Sequence, residues 1–121
     1  GVKLDGCSSS KNISNWQHLI NTTSNKPLLT ENCHNGPNYG NTTWCPMNFF
    51  RSSSDINTNY PDIVGVNLNS TIIYQDYPNN YISRPGCWAY PDMLEVGNIP
   101  NQEGANQSTM DQSHFSAWSI V

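Results

Sequence analysis

"GCWAYPDMLEVGN", residues 86–98, gathers Trp88, Pro91, Asp92, Met93 and Leu94 within a chain otherwise rich in Asn and Ser. Pro91 lacks a backbone N–H and fixes its own φ, so it suits the end of a strand rather than its middle. Asp92 then falls at a strand-to-loop exit, where folds tend to keep their chemistry. A simple Pro-Asp turn is the competing reading of these residues taken alone. The same pattern recurs upstream. Val2 and Leu4 alternate around Lys3 and stop at Asp5, "PLLT" (27–30) runs into Glu31, and "MNFF" (47–50) leads through Arg51 to Asp55.

Helical signals separate these strands. Ser14 and Gln17 have capping-box spacing, with Trp16, Leu19 and Ile20 on one face, and Pro27 closes that unit. Asp62 is placed to cap a second helix in which Val64, Leu68 and Ile72 recur every four residues, although residues 72–74 also read as a strand. Thr109 with Gln112 caps a last helix carrying Phe115 and Trp118. The order strand, helix, strand, strand, helix, strand, helix predicts an α/β fold. In a (β/α)8 barrel all strands open their carboxyl ends on one face, which brings distant acidic residues together. A doubly wound sheet needs a Gly-rich phosphate turn, and none occurs here. The barrel is therefore expected.

Composition narrows the function classes. Of 121 residues only 12% are charged, the net charge is −4, and Lys and Arg total five, which argues against nucleic-acid and anionic-membrane partners. No stretch is long enough to cross a bilayer as a helix. Four cysteines and five N-x-[ST] triplets, at Asn12, Asn21, Asn41, Asn69 and Asn106, point to the secretory pathway, secreted or lysosomal/vacuolar. Eighteen Asn make some triplets expected by chance. Four cysteines allow three complete pairings. His and Cys show no metal-ligand spacing, so neither a metal nor another cofactor is expected. The chain starts without Met and ends within an apolar run, so residues 1–121 read as an internal portion of a larger protein, inactive alone.

Three stretches in order, "VKLDGC" (2–7), "RSSSDI" (51–56) and "CWAYPDMLEVGN" (87–98) continuing to "HFSAWSIV" (114–121), resemble glycoside hydrolase family 27, the α-galactosidases and α-N-acetylgalactosaminidases. The resemblance implies roughly strands 4 to 7 of a (β/α)8 barrel and a retaining exo-glycosidase acting on terminal α-galactosyl groups. It implies Asp5 as nucleophile, Asp55 as acid/base, Lys3 and Arg51 as hydroxyl-binding groups, and Asp92 as a carboxylate beside the sugar. Retaining glycosidases set two carboxyls about 5–5.5 Å apart, one to attack the anomeric carbon and one to protonate the leaving oxygen. A neighbouring cation favours the ionised nucleophile.

Two departures from the family pattern are visible. His34 follows Cys33 where α-galactosidases place Glu, and Trp88-Ala89-Tyr90 stands where members commonly read Trp-Asn-Asp. His34 is thereby expected to read the substituent at sugar position 2, favouring a hydroxyl over an acetamido group. The family pattern also implies a Cys33–Cys45 disulfide, with Cys7 paired outside the chain; Cys7 with Cys33 is the structural alternative. The competing functions are a galactoside binder without catalysis and N-acetylgalactosaminidase specificity.

Overall fold

In a computed structural model of the chain, residues 1–6, 12–33, 43–76, 78–79, 81–101 and 104–121 are described. The protein is mixed α/β with a four-stranded parallel sheet in the order β1-β2-β3-β4: Val2–Leu4, Thr30–Asn32, Phe49–Arg51 and Trp88–Tyr90. The expected element order is present. The chain divides into two compact units, one of residues 1–51 with 74–89 and one of residues 52–73 with 90–121.

In the first unit, pairing places Lys3 beside Glu31 and Glu31 beside Phe49, with Leu4, Asn32 and Phe50 in the next row. Side chains alternate across a strand, so these rows belong to opposite faces. The Phe50 row is the core face. Phe50 is fully buried with Ile13, Met47, Tyr74, Ile82, Cys87 and Ala89, and meets the Tyr74 ring edge-on at 5.1 Å. Helix α1 (Ile13–Thr23) contributes Ile13 and Ile20 as its buried residues.

Here the structure corrects the expected face and cap. Asn12 caps α1, its side chain accepting from the Asn15 amide at 3.0 Å. Gln17 is not free to close a capping box. Its Oε1 accepts from the buried Thr30 hydroxyl and its Nε2 donates to Asn21. That polar tie turns positions 13, 17 and 20 toward the sheet, and Leu19 is left 51% exposed. The second strand also moves: Leu28 and Leu29 are exposed, and the buried pair is the polar Thr30 and Asn32. Asn48 Oδ1 accepts the Thr30 amide at 2.9 Å, and Asn48 N donates to Thr30 O at 2.9 Å. Buried polar groups are tolerated when so paired.

In the second unit, Ile63, Ile99 and Met110 form the core, with Ile56, Tyr60 and Ala105 packed on it. The helix expected from Asp62 starts earlier and is irregular: α2 (Tyr60–Asp62), a π-helical segment (Ile63–Leu68) and α3 (Asn69–Ile73). Asp62 is not the cap; its carboxylate accepts from Asn57 and Asn59 at 3.1 Å within the first turn. The i→i+5 pattern of a π-helix breaks a four-residue repeat. The buried positions become Ile63, Asn67, Leu68 and Thr71, while Val64 and Ile72 face solvent.

The last helix, α4 (Gln107–Trp118), is capped by Asn106, whose side chain takes both the amide and the hydroxyl of Thr109. Its buried residues are Met110 and His114, not Phe115. His114 is 1% exposed, and neither ring nitrogen has a hydrogen-bond partner among the described residues. Burial pushes its pKa down, against the opposing pull of the Glu95 and Asp111 carboxylates. The unfolded chain therefore binds a proton that the folded unit resists. The stabilising contribution is complete above about pH 6.5 and is lost as the pH falls through the depressed folded value. Hydrogen exchange of α4 amides should accelerate between pH 7 and pH 5 beyond the intrinsic trend, and His114→Leu should flatten that dependence.

Candidate functional site

In the first unit Lys3 and Glu31 share the sheet face opposite Phe50. Lys3 Nζ lies 3.3 Å from Glu31 Oε1 and 4.0 Å from Asp5 Oδ2. Burial works to lower the Lys3 pKa, but Glu31, Cys33 and Asp5 outweigh it and hold the ammonium above its usual range. Asp5 directly follows β1, and its Oδ1 accepts the Gly6 amide at 2.6 Å. Arg51 ends β3 on this side, close enough for its charge to act on Cys33. Lys3, Glu31 and Phe49 also line a shallow depression of about 300 Å³. Of the sequence-derived residues the unit thus brings together Lys3, Asp5 and Arg51. Glu31, seen in the sequence only as a strand-end acid, is the ion-pair partner of Lys3.

Cys33 belongs to this group as a buried free thiol. Burial pushes its pKa up, against the Arg51 and Lys3 charges. The disulfide is Cys45–Cys87, which corrects the Cys33–Cys45 expectation. The reason is strand polarity. Cys45 and Cys87 precede β3 and β4, whereas Cys33 follows β2, so in a parallel sheet Cys33 lies at the other end. Cys7, and with it the Cys7–Cys33 alternative, lies outside the described residues, as does His34.

The second unit carries the other two carboxylates. Asp55 is exposed on the loop that follows β3, and Asp92 is buried just past β4. Asp92 has φ 86°, the left-handed region that Asp tolerates better than most residues, at a cost of order 1–3 kcal/mol. Its Oδ2 accepts the Ile56 amide at 2.7 Å. The Asp55 loop makes further bonds. Ser52 donates through its amide and hydroxyl to Tyr90 O and shares a 2.7 Å hydroxyl contact with Thr71, while Ser53 Oγ donates to Pro91 O at 3.2 Å. Asn67, 2% exposed, donates its amide to Ser53 Oγ at 2.8 Å and to Ser54 O at 3.0 Å. Asn67 belongs to no motif in the sequence; its only signal there is a poor helix former within a helical stretch.

Among the described residues no group of three His, Cys, Asp or Glu side chains could hold a metal ion, and no helix is long and apolar enough to cross a membrane. Compared with known proteins, the chain matches no family model, and no curated protein or solved structure matches it either.

Proposed function

We propose that this chain forms part of the (β/α)8 catalytic barrel of a retaining exo-glycosidase specific for terminal α-D-galactosides, with β1 to β4 as strands 4 to 7. The observation that carries this reading is the parallel sheet itself. One face packs on helix α1, the other is charged, and Asp5, Asp55 and Asp92 each follow the carboxyl end of a strand. The resemblance to glycoside hydrolase family 27 supplies the roles. Asp5 attacks the anomeric carbon as the bond to the leaving oxygen breaks, and Asp55 gives that oxygen its proton. Water then attacks the glycosyl ester, Asp55 accepts the water proton, and galactose leaves with Asp5 regenerated. Lys3 and Arg51 bind sugar hydroxyls, and Asp92 lies beside the substrate. The Cys45–Cys87 disulfide suits an oxidising compartment of the secretory pathway.

Hydrolysis of nitrophenyl α-galactoside and nitrophenyl α-N-acetylgalactosaminide by the protein that carries this chain tests the reading. The galactoside should be preferred by about 100-fold in kcat/KM, because a site built for a hydroxyl rejects a bulkier amide. Galactose binding without turnover of either substrate would replace the enzyme with a lectin-like binder.

A further inference from the structure

Asp55 is exposed, yet the peptide groups on both sides of it are held by buried side chains. The carbonyl before it, Ser54 O, accepts from Asn67 Nδ2 at 3.0 Å, and the amide after it, Ile56 N, donates to Asp92 Oδ2 at 2.7 Å. Ser53 ties the two anchors together, accepting from Asn67 and donating to Pro91 O, next to Asp92. Asn67 reaches this loop from the π-helical segment Ile63–Leu68, where Asn67 and Leu68 are both buried. We infer that Asn67 is a positioning residue for Asp55, fixing the backbone from which the acid/base carboxyl projects, with Ser53 as relay and Asp92 as the opposite anchor.

Three observations favour positioning over simple stability. A buried primary amide, a buried carboxylate and a π-helical turn are each unfavourable locally. All three converge on the two peptide groups that flank one exposed carboxyl. A loop needing only to be closed could be packed with apolar side chains instead. General acid catalysis is sensitive to placement, and a misplacement of about 1 Å can cost about 100-fold.

This inference rests on the role proposed for Asp55, and leaving-group dependence separates the two. Protonation matters for a poor leaving group such as phenol and hardly at all for 2,4-dinitrophenol. Asn67→Asp keeps the size but replaces the NH2 donor by an acceptor, so Ser54 O loses its partner. It should lower kcat/KM for phenyl α-galactoside about 10-fold or more and leave the dinitrophenyl substrate within about 3-fold. The ratio is independent of how much protein folds, which a merely structural role would not reproduce. Ser53→Ala, which removes the relay hydroxyl alone, should shift the ratio in the same direction and serves if Asn67→Asp does not fold. Asp55→Ala is the reference. If it shows the leaving-group split and neither Asn67→Asp nor Ser53→Ala does, the positioning role is overturned and the glycosidase reading stands. If Asp55→Ala lowers both substrates equally, the assignment of Asp55 falls and this inference falls with it.

Discussion

Asp5→Asn and Asp55→Asn should each lower turnover of a nitrophenyl α-galactoside by at least about 100-fold in the protein that carries this chain. In the proposed mechanism each substitution removes a group from bond making or proton transfer, and the amides preserve size. The two losses should differ in kind. With Asp5→Gly, azide can occupy the vacated side of the sugar and displace nitrophenolate directly, giving a galactosyl azide of inverted configuration. With Asp55→Gly the ester on Asp5 still forms from an activated substrate, and azide attacks that ester, giving retained configuration. Polarimetry or NMR of the product distinguishes them. Near wild-type turnover in either Asn variant contradicts the double-displacement assignment.

The second large effect concerns the cross-link. Cys45 and Cys87 are 42 positions apart, and a closed loop of that size is worth about 4 kcal/mol by the chain-entropy argument. Cys45→Ser and Cys87→Ser should each lose about that much in denaturant unfolding, and the double variant should lose no more than either. Cys33→Ser should change stability far less. Peptide mapping without reduction should recover the 45–87 link, with Cys33 alkylated only after unfolding because its thiol is buried and its pKa is raised. Recovery of a Cys33–Cys45 peptide would contradict the assignment.

Much of the architecture was legible because strand signals and polar exits are local. "VKL" ending at Asp5 coincides with the first strand, and "MNFF" running into Arg51 overlaps the third, Phe49–Arg51. The strand around Thr30 is hard to place from sequence because Leu28 and Leu29 advertise burial, whereas the sheet buries Thr30 and Asn32, with Thr30 satisfied by partners outside the strand, Gln17 and Asn48. Two of the three misplaced helix starts, those of α1 and α4, have one source. In a chain with eighteen Asn, asparagine competes for the cap, and at two helices it takes the position given to Ser14 or Thr109. The π-helical turn was illegible, since no local propensity marks an extra residue in a helix. The disulfide depended on which end of the sheet each cysteine occupies, and spacing along the chain carries no such information.

The interleaving of the two units bears on how the protein is made. Each unit needs two separated pieces of chain: residues 1–51 wait for 74–89, and residues 52–73 wait for 90–121. On a ribosome adding roughly 5–20 residues per second, Cys45 precedes Cys87 by a few seconds. During that interval Cys33 is among the thiols already synthesised, and a premature link to it would join opposite ends of the sheet. In the secretory compartment proposed above, maturation would therefore depend on how quickly β2 and β3 associate and bury Cys33 before Cys87, the partner of Cys45, emerges.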